Sequence, residues 1–326
     1  MNLLITGIHG FVGSNLVRAH AAKHSIYGLD IVAPHKDGVV ATYSWNDLDS
    51  GSLPPVDAII HLAGKAHDTK NEAAAQTYFD INTGLTKKIF DYFLTSQARI
   101  FIFFSSVKAA ADTVGNTILT EEVVPSPKGP YGESKLAAEE YIRSHASITD
   151  GVYSLPGGKL VYILRPCMIH GPGNKGNLNL LYNVVRTGMP WPLAAFDNRR
   201  TFTSVDNLCY VIGRLIEGTA PGGVYNMGDD ESLSTNELIT VICSVLGKKP
   251  RLLHVEKGVM TGLARVGGIL HFPLNPERLR KLTENYVVSN HKIKQALSID
   301  TMPVHAADGL RLTIESFVNN NKTDIK

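Results

Sequence analysis

Apolar and polar positions along the first half of the chain predict strands and helices in alternation. Runs of consecutive apolar residues predict short buried strands, and apolar residues spaced three to four apart predict amphipathic helices. The predicted strands lie near residues 3–5, 24–32, 41–45, 57–63, 99–106 and 159–166, and helices are predicted from Phe11, over residues 72–96 and over residues 131–145. This alternation is typical of an α/β fold with a doubly wound parallel sheet.

The pattern changes after Pro166. Glycine and proline cluster in HGPGNKGN, GMPWPL and GTAPGG, and the predicted elements become shorter. We therefore expect residues 1–166 to form the sheet domain and residues 167–326 to form a smaller substrate-binding lobe, with strands and helices exchanged between the two. A ligand cleft is expected at the carboxyl ends of the strands, where such sheets bind ligands.

Three glycines near the start of the chain carry the first chemical signal. Gly7, Gly10 and Gly13 fall between the first predicted strand and the first predicted helix. Glycine there allows a tight turn and a close approach of backbone N–H groups to a phosphate at the helix N-terminus. Asp30 ends the second predicted strand, where a carboxylate accepts hydrogen bonds from an adenosine ribose and repels a 2′-phosphate. The combination predicts a Rossmann-type site that binds NAD in preference to NADP.

The composition fits a globular protein with a sizeable core. Hydrophobic residues make up 44% of the 326 residues, charged residues make up 19%, and the formal net charge is +2. Because this charge is small and no run of lysine and arginine stands out, we expect no nucleic-acid partner. No apolar run approaches ~18 residues, so we expect no membrane partner, and we interpret the glycine-broken stretch 262–272 as packed against the protein.

The cysteines and the first residues bear on location. Cys167, Cys209 and Cys243 lie far apart and have no metal-binding spacing, so we expect reduced thiols and no metal site. The chain starts directly with a predicted strand and shows no signal-peptide pattern. These observations together predict a cytoplasmic protein.

The motif PYGESK supplies the candidate chemistry. It places Tyr131 and Lys135 four residues apart, and therefore on one face of a helix. A lysine ammonium beside a phenol favours the phenolate, which predicts a lowered pKa for Tyr131 and a general base. Such a base removes a hydroxyl proton while a hydride leaves the same carbon. Ser105 and Ser106 end the preceding strand, where either hydroxyl can hydrogen-bond the same substrate oxygen.

The order of these motifs resembles that of extended short-chain dehydrogenases/reductases. TGIHGFVG, HLAG, the serine pair, YGESK and LRPCMIHGPG are similar to the NAD-dependent epimerase/dehydratase group, whose members act on nucleotide sugars. The resemblance implies a homodimer whose cofactor site is formed by Gly7, Gly10, Phe11, Val12, Asp30, Asp47, Leu48, Leu62, Ala63, Gly64, Asn82, Tyr131, Lys135 and Pro166. It also implies a site for a UDP-sugar, with Arg200 on the diphosphate, that includes Ser106, Asn177, Leu178 and Arg200.

The residues after the serine pair limit the reactions that the resemblance allows. Val107 and Lys108 stand there, whereas the related 4,6-dehydratases use an adjacent Asp–Glu pair to eliminate water. Ser106 lies 25 positions before Tyr131, a spacing similar to that of sugar 4-epimerases, so we prefer Ser106 to Ser105 as the catalytic hydroxyl.

Three functions are weighed on this basis. The leading hypothesis is a UDP-sugar 4-epimerase, similar to a bacterial polysaccharide-pathway subgroup, that acts through a transient 4-keto intermediate with Ser106, Tyr131 and Lys135. A UDP-4-keto-6-deoxy-hexosamine 4-reductase would use the same residues once, in the reductive direction. A non-catalytic protein that senses NAD is a more distant alternative, because a fold alone does not fix a function.

Overall fold

The computed structural model describes residues 1–65, 74–174, 176–269 and 274–323. In this part of the chain the strands are β1 (Asn2–Thr6), β2 (Ser25–Leu29), β3 (Ala41–Tyr43), β4 (Ala58–His61), β5 (Ile100–Phe104), β6 (Ile118–Leu119), β7 (Ser147–Thr149), β8 (Val152–Ser154), β9 (Leu160–Pro166), β10 (Met168–His170), β11 (Arg200–Ser204), β12 (Gly223–Met227), β13 (Ser232–Leu233) and β14 (Val287–Val288). The α-helices are α1 (Phe11–His20), α2 (Trp45–Asp49), α3 (Ala75–Tyr78), α4 (Leu85–Thr95), α5 (Pro130–Ser144), α6 (Asn177–Arg186), α7 (Val205–Ile216), α8 (Thr235–Val245), α9 (Lys257–Ile269), α10 (Pro276–Thr283), α11 (His291–Leu297) and α12 (Ala306–Thr323).

Seven strands form one sheet in the order β3-β2-β1-β4-β5-β9-β12. Every neighbouring pair in it is parallel. Thr6 at the end of β1 lies opposite Leu29 of β2 and His61 of β4, and His61 lies opposite Phe103 of β5. The carboxyl ends of the central strands therefore meet at one edge. The predicted Rossmann-type doubly wound parallel sheet is confirmed.

The core lies on both faces of this sheet, because successive side chains of a strand point to opposite faces. In β5, Ile100 and Ile102 pack on one face, and Phe101 and Phe103 pack on the other. All four are buried. This explains why the central strands are almost continuously apolar, as strands of a parallel sheet covered by helices on both sides must be.

The strand at one end of the sheet comes from the second half of the chain. β12 pairs with β9, with Tyr225 opposite Leu164. Helix α7 precedes β12 and packs its buried Leu208 and Ile212 into the same core as Leu16 of α1. Residues 205–227 therefore complete the sheet layer of residues 1–166, while the division of the chain after Pro166 stays a prediction.

A smaller lobe follows the large sheet. Its three-stranded sheet has the order β10-β11-β13. Its core joins α6, α8 and α12 through Leu178, Tyr182, Ile242, Ile314 and their neighbours. A separate apolar cluster holds α9 and α10 together through Met260, Ala264 and Leu279.

A π-helical turn interrupts the helix that is predicted over residues 72–96. Residues Phe79–Gly84 form this turn between α3 and α4, and the predicted start at Glu72 lies outside the described residues. A π-helical turn takes in an extra residue and so rotates the side chains that follow, and it often occurs at functional sites. Here it brings the polar Asn82 into a fully buried position against α5. The prediction of one continuous α-helix is wrong at this point.

Candidate active site

The glycine turn between β1 and α1 has the geometry of a phosphate-binding loop. Gly7 has a φ of +68°, which favours glycine, and a side chain at Gly13 would place its Cβ 2.6 Å from the Gly7 carbonyl oxygen. Gly10 precedes α1 and forms no side-chain cap. The first backbone N–H groups of α1 therefore point, without a side-chain cap, to the place where a diphosphate would bind.

Asp30 lies immediately beside this turn. Its Oδ2 accepts a hydrogen bond from the backbone N–H of His9 (3.0 Å), and its Oδ1 accepts one from Ile31 (2.8 Å). The carboxylate is thus held at the carboxyl end of β2, between the glycine turn and the next loop. A carboxylate accepts up to about four hydrogen bonds, so Asp30 retains capacity for ribose hydroxyls.

The predicted cofactor residues after β4 lie against both the glycine turn and α5. The backbone N–H groups of Leu62 and Ala63 donate to the Thr6 hydroxyl, at 3.1 and 2.9 Å. A Cβ on Gly64 would lie 2.9 Å from Asn82 Oδ1 and 3.0 Å from Lys135 Nζ. Gly64 is therefore the position where the cofactor edge of the sheet meets the predicted catalytic helix.

The other predicted cofactor residues take different positions. The Phe11 ring lies 3.6 Å from the place of a Gly171 Cβ, so the loop after β10 covers the start of α1. Asp47 accepts hydrogen bonds from the Ser44 backbone and hydroxyl, both at 2.7 Å, which lowers the pKa of Asp47. Leu48 is buried in the core. Pro166 ends β9 opposite Met227.

Three of the predicted catalytic groups meet beside β5. The Ser106 hydroxyl accepts a hydrogen bond from the Lys108 backbone N–H at 3.2 Å and lies near enough to the Tyr131 phenol to lower its pKa. Lys135, one turn after Tyr131 on α5, is buried and donates its ammonium to the Phe104 carbonyl at 2.8 Å. The strand end and the helix thus bring a hydroxyl, a phenol and an ammonium to one edge of the sheet.

The structure separates the two serines. Ser105 donates its hydroxyl to Glu139 Oε1 at 2.5 Å, inside the protein. Glu139 also accepts two hydrogen bonds from Arg165, at 2.8 and 2.6 Å, and all three side chains are buried. Because the hydroxyl of Ser105 is held by this network, the geometry favours Ser106 as the serine that faces a substrate.

The pKa of Tyr131 corrects one expectation. Burial raises it, the hydrogen bond from Ser106 opposes this increase, and Tyr78 adds to it. Lys135 directs its ammonium to a backbone carbonyl, and its own pKa falls to about 8 because burial outweighs the raising effect of Glu139. The expectation that Lys135 lowers the pKa of Tyr131 is therefore wrong for the protein without a bound ligand.

Sequence reasoning missed two groups at this edge. His61 hydrogen-bonds Thr6 at 2.7 Å and Thr86 at 3.0 Å, and burial together with nearby Lys135 lowers the pKa of His61 to about 3. Glu139, which pairs with Arg165, lies one turn after Lys135 on α5. The HLAG motif could have pointed to His61, and the four-residue spacing that aligns Tyr131 with Lys135 continues to Glu139, whereas Glu140 beside it is exposed.

The predicted substrate residues lie in the smaller lobe. Arg200 begins β11 and donates to Glu284 Oε1 (3.3 Å), to the Glu284 carbonyl (3.3 Å) and to the Lys281 carbonyl. Burial lowers the pKa of Arg200, and Glu284 opposes this. The Leu178 side chain is packed in the lobe core, so only its backbone near the start of α6 can face a ligand. Asn177 begins α6, but its side chain lies outside the described residues.

Fold and site together define a class of protein. An uncapped, glycine-lined helix N-terminus and the carboxylate of Asp30 fit a dinucleotide, and the Ser106, Tyr131 and Lys135 group lies beside them. Among the described residues, no group of three potential ligands could hold a metal ion, and no helix is long and apolar enough to cross a membrane. The class is that of dinucleotide-dependent enzymes with a serine–tyrosine–lysine site.

Comparison with known proteins identifies the family. Residues 3–228 match the family described as NAD dependent epimerase/dehydratase. The chain belongs to this family of enzymes, which confirms the predicted family and the prediction of NAD as cofactor.

Similar proteins agree with this assignment. The UDP-glucose 4-epimerase of Vibrio cholerae is 29% identical over 76% of this chain and 76% of its own length. The N-acetyl-alpha-D-glucosaminyl-diphospho-ditrans,octacis-undecaprenol 4-epimerase of Escherichia coli O157:H7 is 26% identical over 99% of this chain and 98% of its own. The solved structure of MoeE5 in complex with UDP-glucose and NAD shares the fold, with a TM-score of 0.73 at 20% identity, covering 98% of this chain and 100% of that one.

Proposed function

We propose that this protein is a UDP-sugar 4-epimerase that uses NAD. The observation that carries the proposal is the meeting of Ser106, Tyr131 and Lys135 at the cofactor edge of the sheet, with Ser106 near enough to lower the pKa of the Tyr131 phenol. The similarity to the Vibrio cholerae UDP-glucose 4-epimerase supports the same reaction. At a coarser level, the relatives agree on an NAD-dependent epimerase or reductase of sugars carried on a diphosphate.

The residues of this chain would handle the proton of the 4-hydroxyl group. NAD, when bound, supplies a positively charged ring that accepts the hydride from C4 and returns it. The positive charge that NAD supplies would oppose the effect of burial, which raises the pKa of Tyr131, and would so favour the phenolate. Tyr131 then takes the proton from the 4-oxygen, and Ser106 holds that oxygen by a hydrogen bond. The same proton returns to the 4-oxygen in the second half of the reaction, which leaves the protein unchanged.

Arg200 would hold the diphosphate of the substrate. Its planar guanidinium matches phosphate oxygens with charge-assisted hydrogen bonds. In the structure the same group pairs with Glu284 at 3.3 Å. A bound diphosphate would have to replace Glu284 or share Arg200 with it, so part of the binding energy is offset by the lost ion pair.

A 4-ketoreductase is the second candidate. The GDP-6-deoxy-D-mannose reductase of Pseudomonas aeruginosa is 28% identical over 74% of this chain, and a reductase would need the same three side chains. Residues 107–111 contain no carboxylate, so the strand end supplies no acidic pair for the elimination of water. An epimerase and a reductase therefore both fit the site, and a dehydratase does not.

The test is to follow sugar conversion by NMR. UDP-glucose, UDP-N-acetylglucosamine and UDP-4-keto-6-deoxy-N-acetylglucosamine are each incubated with the protein, with and without added NADH. We expect a 4-epimer to form without NADH. Conversion of the keto sugar alone, in proportion to added NADH, would establish the reductase instead.

The variant Tyr131→Phe tests whether Tyr131 transfers the proton of the 4-hydroxyl group. Tyr131→Phe should lower kcat by about 100-fold or more, because it removes the acid–base group while keeping the ring. NAD should still bind. Tyr92→Phe, at a partly buried tyrosine of α4, is the matched control and should turn over normally. Normal turnover by Tyr131→Phe would exclude Tyr131 from the mechanism.

A further inference from the structure

Helix α9 carries an apolar stripe that no other described element covers. One side of the helix is packed, with Met260 and Ala264 buried against Leu279 of α10. Val259, Leu263 and Val266 follow at intervals of four and three residues, which places them on one stripe of the helix surface. They are 49%, 56% and 51% exposed. An isolated exposed leucine is ordinary, whereas three aligned apolar side chains on one helix mark an interaction surface.

The sequence of α9 gives the helix little stability of its own. Four of its thirteen residues are glycine. Each glycine in a helix interior costs about 1 kcal/mol relative to alanine. Packing against α10 stabilises only one face, so a partner on the apolar stripe would supply stability that the sequence of α9 lacks.

The charge of this region points to the kind of partner. Residues 248–281, which include α9 and most of α10, contain eight lysines and arginines and two glutamates, whereas the whole chain has a formal net charge of only +2. Lys257 and Arg265 lie on α9 and are both exposed. The positive charge of the protein is therefore concentrated in the segment that carries the exposed apolar stripe.

We propose that α9 docks on the surface of an anionic lipid bilayer. An interfacial helix buries its apolar side roughly 5–10 Å into the boundary between headgroups and acyl chains, with lysine and arginine on its polar face. Three side chains are few for a stable protein interface, which buries about 800 Å² on each partner. The basic residues of 248–281 would then contact lipid phosphates.

Docking would also place the candidate substrate site next to the membrane. Arg200 donates hydrogen bonds to the Lys281 and Glu284 carbonyls, at and just beyond the end of α10, and α10 packs against α9. The inference revises the expectation of no membrane partner, and it does not depend on the proposed reaction.

The test is co-sedimentation with vesicles of phosphatidylcholine alone and of phosphatidylcholine with phosphatidylglycerol. The full chain should bind the anionic vesicles at low salt and lose binding as salt is raised. Leu263→Asp should weaken binding at least about tenfold. Lys257→Gln with Arg265→Gln should weaken it by about fivefold for each charge removed.

Matched variants keep the result specific. Leu312→Asp changes a similarly exposed leucine on α12, and Lys23→Gln with Lys128→Gln removes two exposed charges elsewhere. Both controls should bind vesicles like the unchanged protein. Every variant should keep its circular dichroism spectrum and its turnover of soluble UDP-sugars without vesicles, an assay that tests the proposed reaction separately.

Two outcomes would overturn the proposal. One is equal binding of the unchanged protein and Leu263→Asp, or no binding of either, to anionic vesicles at low salt. The other is a dimer, seen by light scattering, that Leu263→Asp converts to a monomer while vesicle binding stays the same. The second result would assign the stripe to contact between two copies of the chain.

Discussion

Replacing Glu139 by glutamine tests how the buried network of Ser105, Glu139 and Arg165 supports both the fold and the site. Glu139 accepts two hydrogen bonds from Arg165, at 2.8 and 2.6 Å, and one from Ser105, at 2.5 Å. Arg165 and Glu139 are both 0% exposed. Glutamine keeps the shape but leaves the guanidinium charge buried without its partner. Removing one member of a buried ion pair costs about 3–5 kcal/mol, and the amide oxygen of glutamine can still accept a hydrogen bond, so we expect about 3 kcal/mol.

The same substitution should alter the pH dependence of catalysis. Glu139 raises the pKa of Lys135, while burial lowers it, with a net value of about 8. Without the Glu139 charge, the pKa of Lys135 falls further. If the ammonium form of Lys135 is the active one, the alkaline limb of the kcat profile should move to lower pH. A purely structural role for Glu139 would lower stability and leave this limb in place.

Urea unfolding at pH 7 and a kcat profile between pH 6 and 10 measure the two effects. Glu140→Gln, at the exposed neighbour on the same helix, is the control and should change neither. An unfolding free energy for Glu139→Gln within about 0.5 kcal/mol of the unchanged protein would refute the reasoning, because such small effects are typical of surface substitutions. It would mean that the Arg165 charge is compensated by other groups.

Three further predictions concern other parts of the site. The pKa of His61 is about 3 in the folded protein, against an ordinary value of 6.5. The stability that the neutral imidazole contributes above pH 6.5 is therefore lost as the pH falls, by roughly 2–3 kcal/mol at pH 4.5. Urea unfolding of His61→Asn at pH 6.5 and at pH 4.5 should show a smaller pH dependence than the unchanged protein. NAD should bind more tightly than NADP in a fluorescence titration. Asp30→Asn should lower the ratio of the NADP to the NAD dissociation constant by roughly tenfold, because it removes the charge that repels the 2′-phosphate. Arg200→Ala should weaken calorimetric UDP binding by roughly 1.5–3 kcal/mol while NAD affinity stays unchanged.

Each of these has a control or a contrary result. His35→Asn, at an exposed histidine, should leave the pH dependence of stability as it is. If His61→Asn loses as much stability at acid pH as the unchanged protein, His61 is excluded as the cause of that loss. Tighter binding of NADP than of NAD would exclude the ribose role of Asp30. Arg199 pairs with Glu237 at the surface, so Arg199→Ala should keep UDP affinity; equal UDP affinity in Arg200→Ala would make Arg200 a structural residue.

The sequence predicts the sheet better than it predicts the site. The strands around Ile5, Ile60 and Ile102 are apolar on both faces, a local pattern that only a parallel sheet covered on both sides requires. The pairing of β12 with β9 could not be predicted in the same way, because it joins segments about sixty residues apart. The π-helical turn at Phe79–Gly84 takes in one extra residue, and the composition of this segment gives no sign of it.

At the site, the sequence predicts which residue types are present, but it does not predict which residues they contact. Tyr131 and Lys135 stand out by their spacing, but the direction of their pKa shifts depends on burial and on a backbone carbonyl. Ser105 and Ser106 are equivalent in sequence, and only the distant Glu139 separates them. Arg200 stands out by its motif, while its pairing with Glu284 joins residues more than eighty positions apart.

The position of β12 at the end of the sheet has a consequence for how the chain folds during synthesis. When Pro166 has been made, β9 can pair with β5, but its outer edge has no neighbour, and apolar Val161 and Ile163 lie on one face of the strand. Its outer neighbour ends 61 residues later, at Met227, which corresponds to roughly 3–12 s of translation at the usual rates. An apolar edge exposed for that time is open to pairing with other chains. A chain that ends at Pro166 would keep this edge permanently, and it would lack α7 and β12, which complete the sheet layer.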